Sequence, residues 1–194
     1  MRVVGGLAAG RELKAAPSSA TRPTSDKVRG AIFDILTPYL TETTRVLDLY
    51  AGTGALGIES LSRGAAHCVF VEQSAACCAV IRANLITCGF ASQGQVLRMT
   101  VSAGIQMLEE HVASTQAAPY DLIVVDPPYE DPATEDVLER LARGPLLRDQ
   151  GLLVLEHARR RQIRRDYRRL AYWRTKVYGD TAVSLWQRGK DDSG

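Results

Sequence analysis

Residues 45–54 read Arg45-Val-Leu-Asp-Leu-Tyr-Ala-Gly-Thr-Gly54. A short β-rich run passes straight into a turn with two glycines, which permit a tight strand-to-helix reversal and close backbone approach by a ligand. A helix is expected through Leu56, Ile58 and Leu61, ending at Gly64. Ligands of an open α/β sheet sit outside the carboxyl ends of its strands, so this turn is the first place to look for a site.

The alternation continues outward. His67–Glu72 reads as a second strand, and Ser74 caps a helix running to about Cys88, with Gly89 after it. Gln95–Met99 is a weaker third strand, and 103–112 a helix. Tyr120–Asp126 is the most apolar strand, 133–143 a helix, and Gly151–Glu156 another strand. Segments near 170–178 and 182–188 form a closing antiparallel pair through Gly179-Asp180. Nearly continuous apolar strands alternating with helices imply a sheet covered on both faces. The expected fold is therefore α/β, a doubly wound, mostly parallel seven-stranded sheet with an antiparallel C-terminal hairpin. Before it, Val3-Val4, Gly5-Gly6, Arg11 and Leu13 suggest a short hairpin. Pro17-Ser-Ser reads as a loop, and Ser25 caps a helix carrying Val28, Ile32, Ile35, Leu36 and Tyr39 on one face. Residues 1–40 are thus an expected extension and 41–190 the main domain.

The 194 residues, 45 % apolar and 24 % charged, suit one folded domain with little room for a separate recognition module. No apolar run spans a membrane, and the first residues lack a secretory pattern, so a cytoplasmic protein is expected. Cys68, Cys77, Cys78 and Cys88 form no CxxC pair, and no histidines stand at finger spacing, so neither a metal site nor disulfides are expected. The net charge of +2 conceals a strong asymmetry. Residues 1–29 hold six basic against two acidic side chains, and 157–176 nine against one, leaving −10 in the middle. The N-terminal basics leave room for a local basic face that meets phosphates. The arginine run 159–169 is as readily a solvated connection as an RNA contact.

Gly52, Gly54 and Gly57 nearly complete a dinucleotide fingerprint. Two acids argue for another ligand. Asp48, just before the glycines, suits a cationic amino-acid group better than a pyrophosphate. Glu72, at the second strand's end, can accept both ribose hydroxyls. Together they fit S-adenosylmethionine.

Asp126-Pro-Pro-Tyr129 closes the most apolar strand. Two prolines fix the backbone and remove two N–H donors. What remains is a rigid set of acceptors beside an aromatic ring, suited to a planar base bearing an exocyclic NH₂. Such a nitrogen is a poor nucleophile because its lone pair is delocalised. Holding both hydrogens while aiming the nitrogen at the methyl promotes transfer by orientation and electrostatics. His67, His111 and His157 have no partner pattern, Tyr172, Trp173 and Trp186 suit packing of the terminal hairpin, and Glu59 is expected at the surface.

Over nearly its whole length the chain resembles class I, Rossmann-like methyltransferases that act on amino groups, and more narrowly the bacterial RsmD family. Besides the stretches above, Arg2-Val-Val-Gly-Gly6, Arg22-Pro-Thr-Ser-Asp-Lys-Val-Arg29, Leu61-Ser-Arg-Gly64 and Tyr178-Gly-Asp-Thr181 carry the resemblance. It implies transfer of a methyl group from S-adenosylmethionine to N2 of a guanine in 16S ribosomal RNA, within the small subunit or its precursor, by a monomer. It further implies cofactor contacts from Asp48, Tyr50, Ala51, Gly52, Gly54, Glu72 and Gln73. Adenine recognition after the third strand falls to backbone groups or Thr100, because the acid or amide common in the wider superfamily is missing there. Asp126, Pro127, Pro128 and Tyr129 would hold the base, and Arg2, Arg11, Arg22, Thr24, Asp26 and Arg29 would contact RNA. A DNA adenine-N6 methyltransferase, or an inactive RNA-binding assembly factor, is the alternative. An extruded base is required in either enzymatic case.

Overall fold

A computed structural model describes residues 1–15, 26–129 and 131–190. Seven strands form one sheet in the order β3-β2-β1-β4-β5-β7-β6. They are β1 (Arg45–Leu49), β2 (His67–Glu72), β3 (Gly94–Arg98), β4 (Tyr120–Val125), β5 (Leu147–Ala158), β6 (Leu170–Tyr178) and β7 (Thr181–Arg188). The first five run parallel, and β7 inserts antiparallel between β5 and β6. The helices are α1 (Asp26–Leu36), α2 (Ala55–Ser62), α3 (Ala75–Cys88), α4 (Val101–Thr115) and α5 (Thr134–Arg143). All seven expected strands and the helices after them are present. The expectations for Pro17-Ser-Ser, Ser25, Arg22 and Thr24 lie outside the described residues.

Side chains alternate between the two faces of each strand, and both faces are buried, so β1 and β4 are largely apolar, interrupted by Asp48 and Asp121. One core holds Val46, Phe70, Leu122, Val154 and Leu185 under α1, α2 and α3. The other holds Leu47, Val71, Ile123, Leu153 and Trp186 under α4 and α5. Ser74 accepts the Cys77 N–H at 3.3 Å as the cap of α3, which ends at Gly89 with φ of 83°.

Three differences from the expected elements have local causes. β5 starts four residues earlier than expected, before Asp149-Gln150-Gly151, and its register with β4 shifts between Tyr120 and Leu122. α4 begins at Val101 because Thr100 Oγ1 accepts the Ala103 N–H at 3.3 Å. The N-terminal hairpin reduces to one bridge between Arg2 and Glu12, outside the sheet. This arm lies over α2. Val3, Ala8 and Leu13 join the first core, and Ser62 Oγ accepts the Ala8 N–H and donates to Gly5 O. All eight residues of α2 are consequently buried.

Candidate functional site

The carboxyl ends of β1, β2 and β4 meet at one end of the sheet. From β1 the chain enters the turn Tyr50–Gly54. Gly52 and Gly54 have φ of 54° and 77°, which favour glycine, and Tyr50 also takes φ of 60°. Gly57 serves packing instead. A Cβ there would stand 2.3 Å from Phe70 Cε1 and 2.7 Å from Cys68 Sγ, so its absence lets α2 lie against β2.

Two carboxylates bracket this turn from different depths. Glu72 is half-buried and accepts the Gly52 N–H at 2.9 Å and the Ser74 N–H at 2.7 Å. Each of its oxygens keeps a lone pair for a further donor. Asp48 is buried beneath the turn, where Oδ2 accepts the Gly57 N–H at 2.9 Å. Its Oδ1 is buried without a hydrogen-bond partner. Burial pushes the Asp48 carboxyl up to about 8, with the nearby Glu72 charge adding and the Gly57 N–H opposing. A hydroxyl-bearing ring on Glu72, with a cationic group near the solitary Asp48 oxygen, would satisfy this donor and acceptor set. Ala51 and Gly54 are buried in the turn, while Gln73 and Thr100 are exposed at the ends of their strands.

The second half of the site follows β4. Asp126 is half-buried, and its N–H donates to Leu49 O at 3.3 Å, setting this loop beside the end of β1. Pro127 is buried, Pro128 exposed and Tyr129 half-buried. The Tyr129 hydroxyl lies 3.1 Å from Thr181 Oγ1, so the Tyr178–Thr181 stretch touches this loop. Arg161, one of the unassigned arginines, donates from Nη1 to Tyr129 O at 3.3 Å and from Nη2 to Asp131 O at 2.9 Å. Burial holds the Tyr50 hydroxyl well above its ordinary range, and the nearby Asp131 side chain adds to this.

The residues expected to contact RNA separate into two groups. Arg2 and Arg11 are exposed, with Arg11 Nη1 donating to Thr87 O at 3.0 Å. Arg29 is a correction to the sequence expectation, being wholly buried and inaccessible to a phosphate. Its Nη2 donates to Asp26 Oδ1 at 2.8 Å and to Arg2 O, and its Nε faces Glu59 Oε2 at 3.4 Å. Glu59, expected at the surface, is also wholly buried, and accepts the Val4 and Gly5 N–H groups at 2.8 Å each and Arg63 Nε at 2.9 Å. Asn84 similarly ties the arm to the glycine turn. It accepts from Lys14 N at 2.8 Å and donates to Thr53 O at 3.0 Å. No local pattern pointed to Glu59, Asn84 or Arg161, because each is defined by a partner at least 30 residues away.

His157 is a core residue. Its Nδ1–H donates to Ala158 O at 3.0 Å and its Nε2 accepts from Ser184 Oγ at 2.9 Å. Trp186 is fully buried, whereas Trp173 is partly exposed with Arg174 4.0 Å over its ring. Among the described residues there is no group of three His, Cys, Asp or Glu side chains able to hold a metal, and no helix long and apolar enough to cross a membrane.

The family model described as Conserved hypothetical protein 95 matches residues 1–187. Ribosomal RNA small subunit methyltransferase D of Escherichia coli strain K12 is 30 % identical over 188 residues, covering 97 % of this chain and 90 % of its own. The chain belongs to the RsmD family. Putative rRNA methyltransferase YlbH of Bacillus subtilis is a further relative, 35 % identical over 97 % of this chain and 99 % of its own. The solved structure of a putative methyltransferase, yhhF, from Escherichia coli superposes with a TM-score of 0.83 at 29 % identity, over 97 % of this RsmD-family chain and 98 % of that one.

Proposed function

We propose that this protein transfers a methyl group from S-adenosylmethionine to the exocyclic N2 amine of a guanine in 16S ribosomal RNA. The observation that carries this reading is the adjacency of two unlike half-sites at the ends of neighbouring strands. Glu72 and Asp48 bracket the Tyr50–Gly54 turn, and Asp126-Pro-Pro-Tyr129 stands beside it. The names of relatives matched over nearly the whole chain, an rRNA small subunit methyltransferase D among them, support the same assignment.

S-adenosylmethionine supplies an electrophilic methyl on a sulfonium. Glu72 accepts the ribose hydroxyls with the lone pairs left by Gly52 and Ser74, and Asp48 offers its solitary oxygen to the cationic amino-acid end. Ala51, Gln73 and Thr100 border the adenosine. The Asp126 carboxylate and the carbonyls of its loop accept both amine hydrogens, and the Tyr129 ring stacks on the base. Positive charge developing on the nitrogen is stabilised by acceptors already in place, so no reorganisation accompanies transfer. No prior deprotonation of the amine is required: the methyl leaves sulfur as the neutral thioether S-adenosylhomocysteine, and the methylated nitrogen then sheds its extra proton to solvent.

Residues 1–40 serve as the RNA-gripping extension of a catalytic domain at 41–190. Arg2, Arg11, Arg22 and Thr24 contact the RNA, while Asp26 and Arg29 hold the arm to α1. The substrate is 16S RNA within the small subunit or its precursor, and the enzyme works as a cytoplasmic monomer. The test is to supply labelled S-adenosylmethionine with small subunits, naked 16S RNA or duplex DNA, then identify the methylated nucleoside. N2-methylguanosine from the ribosomal substrates is expected. N6-methyladenine in DNA, or RNA binding with no transfer, would overturn the reading.

A further inference from the structure

Two features of the chain stand outside the chemistry above, namely the arginine run 159–169 and the Tyr178–Thr181 stretch. Both send a side chain to the same place. Arg161 forks onto two carbonyls of the segment after β4, Tyr129 O at 3.3 Å and Asp131 O at 2.9 Å. Thr181 Oγ1, on the opening residue of β7, lies 3.1 Å from the Tyr129 hydroxyl. Asp131 itself closes the start of α5, accepting the Ala133 N–H at 3.0 Å on Oδ1 and the Thr134 hydroxyl at 2.9 Å on its carbonyl.

We propose that Arg161 and Thr181 are positioning residues that clamp Tyr129 and Asp131, after β4, against the connection before β6 and the start of β7. The proposal rests on the assignment of Asp126-Pro-Pro-Tyr129 as the base-holding loop. The prolines stiffen residues 127 and 128 but contribute no N–H to any ladder, so the segment must be fixed from outside. A guanidinium does this well, because its planar donors reach two carbonyls at once, which an ammonium on a flexible stem does not reproduce. Arg161 thereby acquires an assignment different from that of a phosphate contact, despite lying in the most basic stretch of the chain.

The clamp and a phosphate contact predict different kinetics. Full-chain Arg161→Ala, Arg161→Lys and Thr181→Val proteins are compared with wild type for kcat, for KM towards RNA and S-adenosylmethionine, and for the salt dependence of RNA affinity. Misplacement of a positioned group costs roughly 10- to 100-fold in rate. The expected result for Arg161→Ala is a kcat reduced by about that factor, a KM for RNA and a salt slope close to wild type, and no rescue by lysine. A reduced salt slope with a raised KM for RNA, restored by lysine, would overturn the clamp in favour of a phosphate contact. Wild-type kcat in all three proteins would also overturn it. Hydrogen exchange of the substrate-free proteins separates the clamp from the assignment of the reaction. Peptides spanning Asp126 to Thr134 should exchange faster in Arg161→Ala than in wild type while the β1 and β4 strands are unchanged. Faster exchange in an enzyme that methylates something other than guanine would keep the clamp and overturn the function; unchanged exchange would overturn the clamp.

Discussion

Arg29 Nε and Glu59 Oε2 face each other at 3.4 Å, and neither side chain has any solvent exposure. This pair is where the N-terminal arm, α1 and α2 meet, because the Glu59 carboxylate also holds the Val4 and Gly5 amides and Arg63. Breaking a buried pair from one side leaves the other charge in a medium that cannot solvate it. Glu59→Ala should cost about 3 kcal/mol of unfolding free energy by denaturant titration. Glu59→Gln, which keeps an acceptor for the amides, should cost less. Equal losses in the two variants would contradict the role given to those amides.

The glycines of the turn separate folding from binding. At Gly57 an added methyl would collide with Phe70 and Cys68, so Gly57→Ala should destabilise the fold by about 1–3 kcal/mol. At Gly52 the nearest atom to an added Cβ is Tyr50 O at 3.9 Å, and only the φ of 54° resists, a strain of about 1–2 kcal/mol. Gly52→Ala should therefore stay folded while losing affinity for S-adenosylmethionine, because the ligand approaches the backbone there. Calorimetric titration alongside thermal unfolding checks both.

Asp48 makes stability depend on pH in an unusual direction. Its carboxyl is pushed up to about 8 in the folded protein, from an ordinary value of 3.8. The folded state then binds the proton more tightly than the unfolded chain. Its contribution is fully present below 3.8 and is lost as pH rises through about 8. Wild type should lose more stability than Asp48→Asn between pH 5 and pH 8, measured by urea unfolding. Parallel pH profiles would contradict the assignment.

His157 acts in the opposite sense. Burial lowers its pKa, with the Ala158 carbonyl partly opposing. The neutral ring sits at the end of a relay in which the Tyr172 hydroxyl donates to Thr175, Thr175 to Ser184 and Ser184 to Nε2. Protonating Nε2 breaks the relay, and the unfolded chain takes that proton more readily. The stability from His157 is thus present above its unfolded value of about 6.5 and lost on acidification below it. His157→Gln should flatten the acid limb of the stability profile and leave the rate of methyl transfer largely intact. A large loss of kcat would contradict a purely structural histidine.

Local pattern carried most of this fold because the strands are buried on both faces and the turns between them use glycine and capping side chains. The placement of Asp48, Glu72 and Asp126 at one end of the sheet was legible for the same reason, since each stands at or beside the carboxyl end of a parallel strand. Glu59 was not. It sits on a helix whose outward face should meet water, but the arm at residues 1–15 covers that face, and no nearby residue announces it. Arg29 and Arg161 share the difficulty. An arginine in a basic stretch looks like a phosphate contact until the fold supplies a buried carboxylate or a pair of carbonyls.

The division of labour between the two half-sites is tested most directly by Asp126→Ala, assayed in parallel for S-adenosylmethionine affinity and for methyl transfer to the small subunit. Cofactor affinity within about twofold of wild type with transfer abolished is the expected result, since the proposed mechanism puts Asp126 on the amine and not on the cradle formed by Glu72 and the glycine turn. Transfer at the wild-type rate would contradict the placement of the amine acceptor, and with it the proposed mechanism.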